Sequence, residues 1–230
     1  MISEPLSLIA VGFSLGLMHA LDADHVMAVS ALNNQKAGLR RTLGYCSNWA
    51  LGHSGVLLFS GLLLFGLGLS LPESLQYAAE VSVGVLLIGL GLYCLWQFRK
   101  QRLSLVKHTH GDVTHVHWHI EGDVNAKGHG KQSHREGHAP VMVGVVHGLA
   151  GSAPALALVP AVSQGQFGVA MGYLLVFSIG VMLSMLAFGL GLGSLQKHLQ
   201  EQHMRLFHWQ RNIIAGSSIA IGSFWLYQAI

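Results

Sequence analysis

Apolar residues recur along the chain in stretches of about twenty, separated by shorter polar connections. A helix of about twenty apolar residues is long enough to cross the roughly 30 Å hydrocarbon core of a bilayer. The pattern therefore predicts an all-α polytopic membrane protein, for which the lipid bilayer is one partner. The six predicted transmembrane helices are 5–31, 44–71, 78–98, 140–162, 168–193 and 211–229.

Composition supports a membrane protein, because charged residues make up only 10% of the 230 residues and hydrophobic residues 51%. The 13 Lys and Arg residues all fall in alternate connections between the predicted helices. They are Lys36, Arg40 and Arg41; Arg99, Lys100, Arg102, Lys107, Lys127, Lys131 and Arg135; and Lys197, Arg205 and Arg211. Positive residues stay on the cytoplasmic side of a membrane. We therefore expect a multi-pass bacterial inner-membrane protein with both termini outside, and no nucleic-acid partner.

The two halves of the chain resemble each other weakly. His19-Ala-Leu in the first predicted span aligns with His147-Gly-Leu in the fourth. The second and fifth spans both begin Gly-Tyr and end FGLGL, and the third and sixth end LYCLWQ and FWLYQ. Three spans repeated in order predict an inverted 3+3 repeat, as in many secondary transporters. The alternative is a set of unrelated helices of similar composition.

This repeat divides the chain into residues 1–99, the first three-helix unit, and 140–230, the second. Residues 100–139 between them hold eight of the 15 histidines and show no sustained helical period. We expect a disordered cytoplasmic loop, although HVHWHIE alternates as a short strand would. The loop is either a metal collector, buffer or sensor, or a solvated linker.

Ionisable residues inside a bilayer are costly and mark candidate functional sites. On a continuous helix, His19, Asp22 and His25 would share an arc of about 120°, whereas Asp24 would point away. Imidazole and carboxylate suit divalent Ni²⁺, Co²⁺ or Zn²⁺. Asp24 would orient a histidine N–H or receive a proton. A proton relay or a structural hydrogen-bond cluster is the alternative. The candidate metal ligands are His19, Asp22, Asp24, His25, His53 and His147.

The stretch His19-Ala-Leu-Asp-Ala-Asp-His25 resembles the HAxDADH signature of the nickel/cobalt transporter superfamily, and Leu51-Gly-His-Ser54 resembles its second motif. HGLAGSAP at 147–154 is similar to the shorter, six-span, UreH-like branch of urease-accessory nickel permeases. The resemblance implies a permease with Ni²⁺ or Co²⁺ as cargo, recognised by His19, Asp22, Asp24, His25 and His53, and no cofactor. Nickel metallochaperones and urease or hydrogenase maturation proteins are candidate partners.

Other classes of function fit the sequence less well. The HExxH motif of zinc proteases is absent, and His147 lies five residues from Ser152, on a different helical face, so no enzyme is predicted. GxxxxGK[ST] is also absent, so transport would be driven by a gradient or by a separate subunit. Cys46 and Cys94 lie in separate spans, which favours two packed thiols without a disulfide. A sensor or delivery protein that binds metal without transporting it remains the alternative, and the scaffold suits uptake or export.

Overall fold

The structure is a computed structural model that describes residues 3–33, 38–69, 72–100, 102–110, 113–121, 133–150 and 166–229. It is a helical membrane protein with one β-hairpin. The elements are α1 (Ser3–His19), α2 (Ala23–Leu32), α3 (Leu39–Gly61) continued by a π-helical turn (Leu62–Gly66), α4 (Glu73–Lys100), β1 (Arg102–His110), β2 (Val113–Glu121), α5 (Ser133–Ala150), α6 (Phe167–Gln202) and α7 (Met204–Ala229).

Among the described residues, three helices are long and apolar enough to cross a membrane: Leu39–Gly66, Glu73–Arg99 and Phe167–Gln202. Shorter apolar helices cover Ala10–His19, Ala23–Leu32 and His138–Ala150. The second half of the predicted fourth span, including Pro154, lies outside the described residues. Length and composition therefore bear out a membrane protein.

The first predicted span, 5–31, is not one continuous helix, and this prediction was wrong. α1 ends at His19 and α2 begins at Ala23. The backbone turns at the break, where the N–H of Leu21 donates to the Met18 carbonyl and the N–H of Asp22 to the His19 carbonyl. Asp22 itself is extended, with φ −57° and ψ 145°. Aspartate favours helix caps over helix interiors because its side chain competes for backbone hydrogen bonds.

Several helices run past the predicted limits of the spans. α3 begins at Leu39 rather than at residue 44, α6 continues to Gln202 rather than 193, and α7 begins at Met204 rather than 211. The added turns carry polar and basic residues, which water and lipid headgroups accept beyond the hydrocarbon core. The apolar pattern therefore predicts the part of each helix that lies in the hydrocarbon core, and not the full length of the helix.

Part of the connection expected to be disordered forms an antiparallel hairpin. β1 and β2 pair from Arg102 opposite Glu121 to His110 opposite Val113. A strand, the alternative given above for HVHWHIE, is therefore the form of the backbone at 113–121, and the described elements outside the hairpin are helical. Alternation over nine residues is the pattern of a strand, and β1 supplies the partner that HVHWHIE needs.

Helices pack closely where glycine removes a side chain from the contact. A Cβ added to Gly52 of α3 would overlap the Val141 carbonyl oxygen of α5, and one added to Gly144 of α5 would overlap the Trp49 carbonyl oxygen. A Cβ at Gly180 of α6 would lie 2.5 Å from the Phe13 carbonyl oxygen of α1. Small residues allow membrane helices to approach to backbone contact. These crossings bring α3, α5, α1 and α6 together around one core.

This core surrounds the break in the first span. Large side chains of this core, each at most 3% exposed, include Trp49 and Leu57 of α3, Leu87 of α4, and Leu174 and Phe177 of α6. α4 and α7 pack on each other beside it, and α2 contacts both of them. The break between α1 and α2 is therefore enclosed by helices from both halves of the chain.

A buried polar network ties the end of α2 to two other helices. The Asn33 side-chain amide donates to Thr42 Oγ1 of α3 at 2.7 Å and to Gln196 Oε1 of α6 at 2.8 Å. All three residues are at most 1% exposed. Buried amides need such partners because an unmade hydrogen bond is costly away from water. The network holds the C-terminal end of α2 against α6.

Candidate metal site

The helix break places two histidines against each other. The Nδ1–H of His25 in α2 donates to the His19 carbonyl, the last residue of α1, at 2.9 Å. The two imidazole rings meet edge to face with centroids 4.7 Å apart. The carbonyl end of α1 carries partial negative charge. The break therefore supplies both an acceptor that orients His25 and a local field that favours a cation.

His53 joins the pair from α3. Its ring centroid lies 5.3 Å from that of His19 and 5.2 Å from that of His25. One ligand atom from each of these three histidines lies within 4.8 Å of the other two. The Trp49 ring, one turn earlier on α3, stacks on His53 with centroids 5.0 Å apart and planes 16° apart. This stacking limits the orientations of the His53 ring.

His147 completes the group from α5. Its Nδ1–H donates to the Val143 carbonyl at 2.9 Å, and its ring centroid lies 5.5 Å from that of His25. Trp49 contacts it as well, with ring centroids 5.9 Å apart. Trp49 therefore lies among His25, His53 and His147. Trp49 was not predicted from the sequence, although its position four residues before His53 puts both on one helical face.

Ring nitrogens in this cluster lack hydrogen-bond partners among the described residues. They are His19 Nε2, both nitrogens of His53, and His147 Nε2. His25 and His147 direct Nδ1–H to backbone carbonyls, which leaves the Nε2 lone pair of each for another purpose. Metal-binding histidines characteristically donate their second N–H to a carbonyl or carboxylate. Buried polar atoms without partners also call for an explanation, such as an ion.

The two aspartates do not lie where a continuous helix would put them. The structure brings ligand atoms of Asp22, Asp24 and His25 within 4.8 Å of one another, so the expectation that Asp24 points away was wrong. Asp22 Oδ2 lies 2.9 Å from His19 Nδ1, and that carboxylate is half-exposed at 54%. Asp24 Oδ2 lies 3.7 Å from His25 Nε2, beyond hydrogen-bond distance. Asp22, rather than Asp24, positions a histidine.

The described arrangement brings all six sequence-predicted candidates to one region. His19 and Asp22 lie at its more exposed side, whereas His25, His53 and His147 are at most 2% exposed. Imidazole nitrogens and carboxylate oxygens from four helices, α1, α2, α3 and α5, and from the turn between α1 and α2 converge there. Such a donor set is suited to a borderline divalent cation.

Comparison with known proteins shows to which protein family the chain belongs. The model described as "Cytochrome C biogenesis protein transmembrane region" matches residues 11–223. The chain belongs to this family of membrane regions. A similar protein is the urease accessory protein UreH of Bacillus sp. (strain TB-90), which is 28% identical over 183 residues, 80% of this chain and 75% of its own length. No solved structure matches.

These findings confirm the resemblance to UreH-like proteins. Cys46 in α3 and Cys94 in α4 are buried and outside any disulfide. The Cys46 thiol lies near Gly189 of α6, and Cys94 donates to the Ala31 carbonyl of α2 at 3.3 Å. Each thiol packs into a different contact, as the sequence predicted.

Proposed function

We propose that the protein is a six-span permease for a divalent transition-metal ion, most favourably Ni²⁺ and otherwise Co²⁺. The ion is the cargo, held briefly by the histidines at the break between α1 and α2. The main supporting observation is the convergence of His19, His25 and His53, in which His19 Nε2 and both ring nitrogens of His53 have no hydrogen-bond partner among the described residues. No enzymatic activity is part of this function.

Distances support metal binding at this site. With metal–nitrogen bonds of about 2.1 Å, neighbouring ligands lie about 3.0 Å apart in the square-planar or tetragonal geometry of Ni²⁺ and about 3.4 Å apart around a tetrahedral ion. The ligand atoms of the three histidines already lie within 4.8 Å of one another. Small rotations of the rings therefore bring them onto one ion. His147 is a fourth ligand from α5, whose ring lies 5.5 Å from His25.

Charge supports a divalent ion rather than a monovalent one. Asp22 and Asp24 provide two carboxylates beside neutral imidazoles. A cation of charge +2 offsets both carboxylates, and so lowers the cost of charge in a place with little water. Asp22 is the more exposed of the two and would meet the arriving ion first.

The contacts between helices are consistent with an inverted repeat, with units at 1–99 and 140–230. In such a repeat span one corresponds to span four, span two to span five and span three to span six. Under this correspondence the α1–α6 contact is equivalent to the α3–α5 contact. The α2–α7 contact is likewise equivalent to the α4–α5 contact, and the structure contains both contacts of each equivalent pair. The α3–α6 and α4–α7 contacts map onto themselves. We propose that rocking of one unit against the other exposes the histidines alternately to the two sides.

Metal flux into proteoliposomes tests the proposal. We expect saturable Ni²⁺ flux from the wild type and its loss in His53→Ala, because one buried ligand is removed; the affinity should fall more than about tenfold. His198→Ala is the matched control, since it removes an exposed imidazole from the end of α6. Unchanged saturable flux in His53→Ala would contradict the proposal. Co²⁺ and Zn²⁺ are compared in the same assay.

The description of UreH as a urease accessory protein favours one second candidate. A membrane protein that binds nickel and passes it to urease maturation proteins would use the same histidines without transport. The proteoliposome assay separates the two. Ni²⁺ binding that depends on His53, together with an absence of flux, would support the delivery function and refute the permease.

We propose the bacterial inner membrane as the location, with both termini outside.

A further inference from the structure

Three of the four histidines at the break between α1 and α2 are held by polar contacts. The Nδ1–H of His25 donates to the His19 carbonyl at 2.9 Å. The Nδ1–H of His147 donates to the Val143 carbonyl, also at 2.9 Å. His19 Nδ1 itself lies 2.9 Å from Asp22 Oδ2. Such a contact fixes the orientation of the imidazole ring and the nitrogen that remains for an ion.

His53 is not held in this way, since neither of its ring nitrogens has a hydrogen-bond partner among the described residues. Its side chain is buried, at 1% exposed. Of its ring contacts within the described part of the chain, only that with Trp49 is stacked, with centroids 5.0 Å apart and planes 16° apart. The rings of His19 and His25 are inclined to it by 43° and 72°. The indole of Trp49 is therefore the flat surface that supports the plane of His53.

The position of Trp49 is fixed from two sides. Its side chain is fully buried and also contacts the rings of His25 and His147, with centroids 4.9 Å and 5.9 Å away. Its backbone lies at the crossing of α3 and α5, where a Cβ added to Gly144 would overlap the Trp49 carbonyl oxygen. The indole is therefore enclosed by histidines while its backbone is held by α5.

We propose that Trp49 is the positioning residue of the metal site, holding the plane of His53 by stacking and leaving both of its ring nitrogens for the ion. Aromatic rings with centroids about 4.5–7 Å apart attract each other beyond the effect of burial. Stacking fixes the plane of a ring but allows the ring to turn within that plane. His53 can therefore present either nitrogen to the ion, which a histidine held by a hydrogen bond cannot do.

Metal binding strengthens this contact. A bound divalent ion draws electron density from the imidazole, and the electron-rich face of an indole attracts positive charge. The stack of Trp49 on His53 therefore favours the ion-bound form of the site over the empty form. An aliphatic side chain would fill the space without this preference. The inference rests on the proposed function, because the ion is the cargo of the permease.

Equilibrium dialysis of the full-length protein in detergent measures the Ni²⁺ affinity. We expect Trp49→Leu to lower it at least about tenfold, because a residue that orients a metal ligand is lost. Trp49→Phe keeps an aromatic face on His53 without the indole N–H, and it should bind close to the wild-type affinity. Trp49→Met has a flexible apolar side chain without an aromatic face, and it should behave as Trp49→Leu does.

Leu87→Ala is the matched control for a cavity in the same core. Leu87 is fully buried in that core, but it belongs to α4, which carries none of the candidate ligands. The Ni²⁺ affinity of this variant should stay at the wild-type value although thermal unfolding shows a lower stability.

A double-mutant cycle and a spectrum separate positioning from packing. Trp49→Leu should have little further effect in a protein that already carries His53→Ala, because Trp49 acts through that ring; independent effects would instead multiply. The ligand-field absorption of bound Co²⁺ depends on its coordination geometry. It should change in Trp49→Leu and stay unchanged in Trp49→Phe and Leu87→Ala.

Three results would overturn the proposal. One is wild-type Ni²⁺ affinity in both Trp49→Leu and Trp49→Met, when each elutes as a single species in size-exclusion chromatography. Another is an equal loss in Trp49→Leu and Trp49→Phe, which would assign the effect to the indole N–H and not to stacking. The third is an equal loss in Leu87→Ala, which would mean that packing in general governs the site.

Failure of the proposed function gives a different result. Unchanged Ni²⁺ binding in His53→Ala would contradict the metal site itself. Loss of binding in His53→Ala together with wild-type affinity in Trp49→Leu would contradict only the role of Trp49.

Discussion

The crossing of α3 and α5 at Gly52 gives the sharpest test of how packing holds the candidate site. A Cβ on Gly52 would overlap the Val141 carbonyl oxygen and lie 3.0 Å from the Val141 carbonyl carbon. Carbon atoms pack favourably at about 3.5–4.0 Å. Gly52→Ala must therefore separate α3 from α5 by about 0.5–1 Å, directly beside His53.

This displacement is large for a metal site. Functional groups must be held within about 0.5 Å of their working geometry, and a shift of about 1 Å can cost a hundredfold in function. We therefore expect the Ni²⁺ affinity of Gly52→Ala to fall at least tenfold. Overpacking of this kind should also lower the free energy of unfolding by about 1–3 kcal/mol.

Gly55→Ala is the matched control, because a Cβ at Gly55 on the same helix meets nothing within 4 Å. It should bind Ni²⁺ like the wild type and gain up to about 1 kcal/mol from its higher helix propensity. Competition dialysis in lipid nanodiscs gives the affinities, and thermal unfolding of the same samples gives the stabilities. Equal affinity and stability in Gly52→Ala and Gly55→Ala would refute the close crossing and the coupling of packing to the site.

Three further predictions concern the surroundings of the site. Asp22→Ala should weaken Ni²⁺ binding about 10–100-fold because His19 loses its acceptor, whereas Asp22→Asn should lose less; equal losses, measured by dialysis, would mean that charge alone matters. Thr42→Val should lower the free energy of unfolding by about 1–3 kcal/mol, since the Asn33 amide loses a buried partner; an unchanged melting temperature would contradict the network. Replacing both cysteines by alanine should leave Ni²⁺ flux in proteoliposomes unchanged, and loss of flux without loss of folding would point to thiol chemistry.

The apolar pattern predicted the membrane class because hydrophobic length is a property of each segment alone. It did not predict the break between His19 and Ala23. Residues 5–31 are as compatible with one helix as with two, and the choice depends on partners from other helices that enclose the break. His19, Asp22 and His25 were nevertheless correctly predicted to lie together, because a turn, like a helix, keeps residues that are close in sequence near one another.

Some of the site residues that are distant in sequence from the break were predicted, and others were not. His53 and His147 stood out as ionisable groups in apolar surroundings, and ionisable groups are rare there. Trp49 did not, because an aromatic residue in a membrane helix is ordinary and only the fold brings it among the histidines. The hairpin was anticipated only in part, through the alternation of HVHWHIE, for a similar reason. A nine-residue strand is stable only with its partner, and β1, RLSLVKHTH, alternates less clearly than β2.

The break in the first span also constrains the biogenesis of the protein. At 1.5 Å per residue, the 17 residues of α1 extend about 26 Å and the 10 residues of α2 about 15 Å. Neither reaches across about 30 Å of hydrocarbon. α1 packs on α6, which begins at Phe167, and α2 contacts α7, which begins at Met204. The ribosome therefore makes the first span long before its partners, and that span reaches its final position only after the last helices have been inserted.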